Sequence, residues 1–265
     1  MQQLLRAFLA IYLAHLLTDF VFQTDRLLEQ KRHGKPTAYV VHGVVYYLSA
    51  VIIAGVVLRG SLLSVRTHLL IAALTLVHLL IDLAKIQLVA KKYPGCDESW
   101  AYVGDQLLHF LTVGFAAWML SPVLPLSELS GPFQEVRAIP NKFLAVPVIY
   151  VSVVFGGGYL IRFLIRSLAE GLKSHSPDRS SDQLQNAGLY IGWLERFLVV
   201  TALLLQSPAT VGLILTAKSI ARYPKFKSEG FAEYFLIGTL LSISMALLGG
   251  ALLAKLIFGQ LRVSG

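Results

Sequence analysis

The sequence contains one cysteine and few charged residues. The single cysteine, Cys96, has no partner for an internal disulfide, and without a cysteine cluster the chain offers no thiolate metal site. Only 14% of the residues are Asp, Glu, Lys or Arg, whereas a soluble domain carries about 25%. This composition argues against thiol redox chemistry and against a water-soluble fold.

Long apolar segments recur along the whole chain, whose mean hydropathy is +0.66. A segment of about 18 or more apolar residues is long enough to cross roughly 30 Å of hydrocarbon. The sequence therefore predicts an all-α polytopic transmembrane helix bundle of about eight helices. The seventh segment is short for a span, and a re-entrant or interfacial position is its alternative. The segments lie at about 4–22, 37–58, 68–90, 103–121, 143–165, 188–205, 209–222 and 231–258.

The apolar segments fall into two halves. We expect residues 1–121 to form a first four-helix half, residues 122–142 an external loop, and residues 143–265 a second half. A segment rich in Ser and Asp, 170–188, predicts a flexible cytoplasmic linker within the second half. The first apolar segment has no clear small-residue cleavage site, so we expect it to be retained and not removed as a signal peptide.

The net charge of +8 is spread over the loops and does not form one basic cluster. This distribution argues against nucleic acid as a partner and favours topology signals in a lipid bilayer. Lys and Arg are more frequent in the loops after the first, third, fifth and seventh segments than in the others. These loops are therefore predicted to be cytoplasmic, which places both termini outside the cytoplasm.

Two similar motifs place ionisable residues inside apolar segments. HLLTDFVFQ begins at His15 and HLLIDLAKIQ begins at His78, and each carries an aspartate four residues later, Asp19 and Asp82. Residues four apart share one face of a helix, so each pair points in one direction. Because a charged residue facing lipid is costly, we expect both pairs to face the interior of the bundle.

The spacing between the two motifs also relates the helices that follow them. It brings His42 onto Asp105 and Tyr46 onto His109, without insertion or deletion. The first four helices are therefore predicted to be a tandem parallel repeat of a helical hairpin. On the predicted topology all of these polar residues lie at the cytoplasmic end of their helices, which indicates one shared site.

Imidazole and carboxylate groups in one pocket suit a divalent cation such as Zn, Mn or Fe. The alternatives are a hydrogen-bonded polar network without an ion and a relay for protons or ions. Asp105 and His109 are predicted to act as a general-base pair. The predicted metal ligands are His15, Asp19, His42, His78 and Asp82.

A cationic rim next to these residues would suit an anionic substrate. The predicted substrate-binding residues are Gln23, Lys31, Lys85, Lys218 and Arg222. As alternatives, the lysines snorkel to the interface and the glutamines cap their helices. In the second half, a structural ion-pair network around Glu195 and Arg196 is our first interpretation, and an anion clamp made by Lys218 and Arg222 is the second.

Four segments in this order resemble a family of bacterial membrane proteins called domain of unknown function 3307. They are HLLTDFVFQTD (15–25), VVHGVVYY (40–47), HLLIDLAK (78–85) and GDQLLH (104–109). The segments IGWLERFL, AKSIARYPKF and AEYFLIGTLLS resemble a C-terminal extension common in that family. The resemblance implies a multi-pass protein of the bacterial inner membrane and implies no activity. A fainter, fold-level similarity is to membrane-bound metal-dependent hydrolases, although the HExxH and PSGH signatures are absent.

The sequence thus favours a metal-dependent hydrolase of a lipid-linked or anionic small-molecule substrate. An ion- or proton-coupled transporter using the same residues is one alternative, and a non-catalytic membrane scaffold is another. The glycine run 156–158 is the one hint of the broken helices that transporters use. The homo-oligomeric state stays open.

Overall fold

The computed structural model describes residues 2–58, 64–90, 98–121, 140–171, 187–223 and 231–259. All regular secondary structure in these ranges is helical, so the all-α class is confirmed for them. The first five helices are α1 (Gln2–Phe20), α2 (Asp25–Arg32), α3 (Pro36–Val57), α4 (Val65–Ala90) and α5 (Glu98–Leu120). The next are α6 (Asn141–Val151), which continues through a π-helical turn (Ser152–Gly156) into α7 (Gly157–Gly171), then α8 (Ala187–Leu204), α9 (Ala209–Arg222) and α10 (Phe231–Phe258).

Six helices in the described ranges are long and apolar enough to cross a membrane, which indicates a membrane protein. They are Gln2–Phe20, Pro36–Val57, Val65–Ala90, Glu98–Leu120, Asn141–Ile165 and Ala232–Phe258. The sixth and seventh predicted segments correspond to α8 and α9, which are helical but are not among these six. The count of eight spans and the tandem repeat therefore stay predictions.

The chain divides into two compact units, Met1–Val148 and Ile149–Gly265, called unit 1 and unit 2 below. The predicted limits of 1–121, 122–142 and 143–265 stay a prediction. Residues 122–139 of the predicted external loop, and residues 172–186 of the predicted linker 170–188, lie outside the described residues.

Unit 1 is built around four of its helices. Helix α1 packs against α3 and α5, and α4 packs against the same two helices. The C-terminal ends of α1 and α4 lie beside the N-terminal ends of α3 and α5, so neighbouring helices are antiparallel. Small residues let α1 and α3 approach closely, as in many membrane helix pairs. The buried alanines at this contact are Ala7, Ala10, Ala14, Ala50 and Ala54.

The outward faces of the unit 1 helices are apolar. Ile52 on α3, Leu69 on α4 and Leu107 on α5 are each more than half exposed, whereas the histidines and aspartates in the middle of the same helices are buried. Because a soluble protein shows the reverse arrangement, this pattern fits helices surrounded by lipid.

Helix α2 was not expected from the sequence, which predicted a loop after the first span. The Thr24 side chain accepts a hydrogen bond from the Leu27 amide (3.3 Å) and caps the helix N-terminus. Asp25 in the first turn, with Lys31 and Arg32 in the last, complements the helix dipole. Lys31 is the one buried residue of this short polar helix.

In unit 2, α8 packs against α9, α10 and the π-helical turn. Arg196 on α8 donates hydrogen bonds from Nε (3.2 Å) and Nη2 (2.9 Å) to the carbonyl oxygen of Val154, and from Nη1 (3.0 Å) to Ser242 Oγ on α10. A Cβ atom on Gly158 would lie 2.5 Å from Arg196 Nη2. The chain is helical through the glycine run 156–158, and Gly158 makes room there for the guanidinium group.

Candidate metal centre

The predicted polar residues of α1 and α3 lie on the inward faces of their helices. His15 and Asp19 occupy the last turns of α1, and His42 lies in the first half of α3. Arg6 is the one other charged residue of α1, and α3 contains no Asp, Glu, Lys or Arg. This pattern places the imidazole and carboxylate groups where only other polar groups of the bundle can satisfy them.

Helices α4 and α5 contribute the other four side chains, His78, Asp82, Asp105 and His109. The structure thus brings together all seven histidines and aspartates that the sequence proposed as ligands or base. Each of the seven is at most 8% exposed, and the four histidines are at most 1% exposed.

The histidine rings form a continuous group. His42 Nε2 lies 2.9 Å from His78 Nε2, and His78 Nδ1 lies 3.2 Å from His109 Nδ1. The ring of His15 is centred 4.6 Å from that of His109. Four imidazoles from four helices therefore meet at one depth of the bundle.

The carboxylates lie among these rings. Asp19 Oδ1 is 3.3 Å from both His42 Nε2 and His78 Nε2. Asp105 Oδ1 is 3.4 Å from His109 Nε2. Nitrogen and oxygen ligands about 2.0–2.1 Å from a tetrahedral zinc ion lie about 3.3 Å from each other. The distances between these groups therefore match those around a bound ion.

Two lysines neutralise part of the acidic charge. Lys31 Nζ donates to Asp82 Oδ2 (2.6 Å) and to Gln23 Oε1 (2.8 Å), and its side chain is 1% exposed. Lys85 Nζ donates to Asp105 Oδ2 (2.8 Å), and its side chain is 27% exposed. Both predicted substrate-binding lysines thus point inward to an aspartate, and their substrate role stays a prediction.

Four buried polar atoms of this cluster make no hydrogen bond within the described part of the chain. They are His15 Nδ1, Asp19 Oδ1, Asp105 Oδ1 and His109 Nε2. A buried polar atom without a partner costs about 1–3 kcal/mol. A bound cation would interact with these atoms and so remove part of this cost.

Three groups in the cluster have the geometry to hold a metal ion, with ligand atoms within 4.8 Å of one another. The largest comprises His15, Asp19, His78 and His109, and thus includes His109, which the sequence assigned to the base pair. The second comprises His42, His78 and Asp82, and the third Asp82, Asp105 and His109. The roles predicted for the single residues stay predictions.

Two further residues of the cluster were not predicted as site residues from the sequence. Gln106 Oε1 lies 3.4 Å from His15 Nε2, and Gln106 Nε2 donates to Asp105 Oδ2 (3.0 Å). The ring of Tyr46 stacks on that of His78, with centroids 4.4 Å apart and planes at 2°. An amide next to Asp105 inside an apolar segment was the available signal for Gln106, and the spacing of four from His42 was that for Tyr46.

Lys218 and Arg222 belong to unit 2. Lys218 Nζ on α9 lies 2.5 Å from Glu195 Oε2 on α8, an arrangement of the kind expected for a structural ion pair. Arg222 is in the last turn of α9 and is partly exposed. The anion clamp that the sequence offered as an alternative stays a prediction.

Fold and site together define a helical membrane protein with a buried cluster of histidines and aspartates. Residues 7–130 match the model of the family described as Protein of unknown function (DUF3307), which confirms the family resemblance predicted from the sequence. The matched segment contains all seven histidines and aspartates of the cluster. Comparisons with curated proteins and with solved structures found no match.

Proposed function

We propose that unit 1 binds one divalent cation inside the membrane and that this centre hydrolyses a lipid-linked or other anionic substrate. The observation that carries the proposal is the group His15, Asp19, His78 and His109, whose ligand atoms lie within 4.8 Å of one another. Two of these residues have a buried atom that makes no hydrogen bond among the described residues, His15 Nδ1 and Asp19 Oδ1, and His109 Nδ1 lies 3.2 Å from His78 Nδ1.

The ligand types in this group indicate which ions it can bind. Three imidazoles and one carboxylate form a four-ligand set of nitrogen and oxygen atoms, which zinc binds tetrahedrally and which Mn or Fe also accept. A cation bound there would act as a Lewis acid that activates water and polarises a phosphoryl or acyl oxygen. His109 thereby moves from the predicted base pair to the ligand set.

The charge of the cluster favours an anionic substrate. Asp19, Asp82 and Asp105 supply three negative charges, and Lys31 and Lys85 supply two positive charges. With neutral histidines, one divalent cation turns the resulting single negative charge into a single positive charge. A buried positive charge attracts and stabilises an anion in a low-dielectric site.

Asp105 is the residue best placed to accept a proton. Its Oδ1 atom makes no hydrogen bond among the described residues and lies 3.4 Å from His109 Nε2, while Oδ2 is held by Lys85 and Gln106. A carboxylate fixed beside a metal ligand is within reach of a water at the metal position. Asp105 is therefore the general base of the proposed reaction.

The proposed setting is the bacterial inner membrane, with the centre near the cytoplasmic face and both termini outside. The distribution of Lys and Arg among the loops supports this orientation. A centre at one leaflet would be reached by substrates that reside in that leaflet, which agrees with a lipid-linked substrate.

A cation- or proton-coupled transporter is the second candidate. The observation in its favour is the burial of the ligands, since His15, His78 and His109 are at most 1% exposed. An ion pathway tolerates such closure in one of its states, whereas a hydrolytic centre must open to a larger substrate.

The metal content of the full-length protein, purified in detergent, tests the site. We expect one divalent ion per chain and a loss of at least tenfold in His78→Ala, because that variant removes a ligand from the proposed set. His33→Ala is the matched control, since this imidazole is 69% exposed. A wild-type protein without metal, together with unchanged stability of His78→Ala, would overturn the proposal.

Turnover and flux then separate the two functions. We expect Asp105→Asn to retain its metal and to lose hydrolysis of a lipid-linked phosphate ester in mixed micelles, since the variant cannot accept the proton. Ion flux into proteoliposomes, with no hydrolysis of any lipid-linked ester, would instead favour the transporter.

A further inference from the structure

We propose that Asp82, Asp105 and His109 form a second cation position and that the ammonium group of Lys85 is the cation that fills it. The inference rests on the proposed function, because it assigns the position next to the proposed metal. The centre would then have two cation positions and bind a single metal ion, because Lys85 fills the other position.

The ammonium group of Lys85 lies between carboxylates from two helices. Its Nζ atom is 2.8 Å from Asp105 Oδ2 on α5 and 3.8 Å from Asp82 Oδ1 on α4. Bridging carboxylates from facing helices are a usual way to hold a cation in a helix bundle. Lys85 therefore sits where the carboxylates would hold a second ion.

The same position has ligand atoms that Lys85 does not use. His109 Nε2 is 3.4 Å from Asp105 Oδ1 and 3.7 Å from Asp82 Oδ1. His109 Nε2 and Asp105 Oδ1 are buried and make no hydrogen bond within the described part of the chain. Once the lysine left, the two carboxylates and His109 Nε2, at distances near the 3.3 Å expected around a metal ion, would complete a site. His109 would then bridge the two ions as an imidazolate, with Nδ1 toward His78 and Nε2 toward Asp105.

The charge balance explains why a lysine occupies this position. With both lysines in place, a second divalent ion would give the cluster an excess of at least two positive charges, even with His109 as an imidazolate, and a buried site without an anion does not stabilise such a charge. A monovalent ammonium bound covalently to α4 fills the position and limits the centre to one metal ion.

Lys85 is a more exchangeable cation than Lys31. Its side chain is 27% exposed and leaves from the C-terminal part of α4, so its long stem can withdraw toward the helix end. The side chain of Lys31 is 1% exposed and is also bound to Gln23. Replacement of Lys85 should therefore open a metal position with less disturbance of the bundle.

Metal stoichiometry of the full-length Lys85→Met variant tests the proposal. Protein in detergent is equilibrated with Mn²⁺, freed of unbound metal and analysed for Mn content and by electron paramagnetic resonance. We expect two ions per chain in the variant and one in the wild type, with a signal from two coupled Mn²⁺ ions in the variant. Adding Asp105→Asn to Lys85→Met should return the count to one.

Lys218→Met is the matched control, because it also removes a lysine from a close pair with a buried carboxylate, that of Glu195. We expect this control to keep one Mn²⁺ ion per chain. A Lys85→Met variant that is folded and binds no more ions than the wild type would overturn the proposal.

If Lys85→Met does not fold, the number of Mn²⁺ ions bound by the wild type tests the proposal. Under the proposal the wild type saturates at one ion even at excess Mn²⁺, and a second tightly bound ion would overturn it. A wild type without metal and a Lys85→Met variant with one ion would support the position of Lys85 while overturning the proposed function.

Discussion

The side chain of Lys31 enters the interior of unit 1 although the rest of α2 is polar and largely exposed. Its ammonium group is bound to Asp82 and Gln23 and lies 5.9 Å from the centre of the Tyr39 ring. Removing one partner of a buried ion pair leaves the other charge without compensation. Lys31 is therefore a structural residue whatever its role toward a substrate.

We predict that Lys31→Met lowers the free energy of unfolding by about 3–5 kcal/mol, the range for breaking a buried pair. The measurement is denaturant-induced unfolding in detergent micelles. Lys35→Met is the control, because Lys35 is exposed and its side chain makes no capping hydrogen bond. Equal stability of the two variants would contradict the role assigned to Lys31.

Gln106 is expected to set the orientation and tautomer of His15. A proton on His15 Nε2 would point to Gln106 Oε1, which is 3.4 Å away, and would leave Nδ1 free as a ligand. We predict that Gln106→Leu weakens metal binding by about 10- to 100-fold, as for other partners of metal-bound histidines. A competition titration with a metal indicator measures the change.

Gln87→Leu is the control for this prediction, because Gln87 is exposed near the end of α4. We expect its affinity for metal to equal that of the wild type. If Gln106→Leu also bound metal with unchanged affinity, the proposed ligand role of His15 Nδ1 would lose its support.

At the scale of elements, two glycines of α10 allow close contact with other helical segments. A Cβ atom on Gly250 would lie 2.7 Å from Leu203 Cδ1 and 3.3 Å from the Cα atom of Val200, both on α8. A Cβ atom on Gly249 would lie 2.4 Å from Val153 Cγ2 in the π-helical turn. The backbone of α8 cannot move away as a flexible side chain can.

We predict that Gly250→Ala lowers the stability of unit 2 by about 1–3 kcal/mol, the usual cost of overpacking. Thermal unfolding in micelles measures the loss. Gly212→Ala on α9 is the control, since a Cβ atom there meets nothing within 4 Å. Its stability should equal or slightly exceed that of the wild type, because alanine favours a helix. Equal melting temperatures of Gly250→Ala and Gly212→Ala would contradict close packing at Gly250.

The elements that the sequence predicted are those with strong apolar segments. The four spans of unit 1 and the inward direction of the His15 and His78 motifs followed from hydrophobic length and a spacing of four. Helix α2 did not, because a polar segment of eight residues carries no apolar period. The burial of Lys31 could not be predicted either, because the sequence assigns this loop lysine to a cationic rim of the site or to the membrane interface.

The role of each site residue depends on distances between side chains of different helices. The spacing of residues along the sequence does not give these distances. The sequence placed His109 with Asp105 because both lie on one helix face. The structure places His109 also beside His78 and His15, which come from two other helices. Side-chain positions across four helices decide which of the candidate ligands lie close enough to share an ion.

At the scale of the whole molecule, the predicted orientation in the membrane can be tested with a native residue. The chain contains one cysteine, Cys96, which lies outside the described residues in the loop after the third predicted segment. The charge distribution predicts that this loop is cytoplasmic. Labelling of the native cysteine therefore reports topology without an engineered site.

We predict that a membrane-impermeant maleimide labels Cys96 in inverted membrane vesicles and not in intact spheroplasts. Cys96→Ser is the control for labelling of other proteins or groups. Labelling in spheroplasts would reverse the predicted orientation and would place the proposed metal centre near the outer leaflet.

The two helical hairpins of unit 1 are made at different times during translation. The nascent chain delivers His15, Asp19 and His42 to the insertion machinery before Asp82 exists as a partner for Lys31. A ribosome stalled after α3 would therefore leave a half-built centre with an acid and a base in need of partners. We expect the translocon or a chaperone to hold such a fragment until the second hairpin is made. If synthesis does not resume, we expect membrane proteases to degrade it.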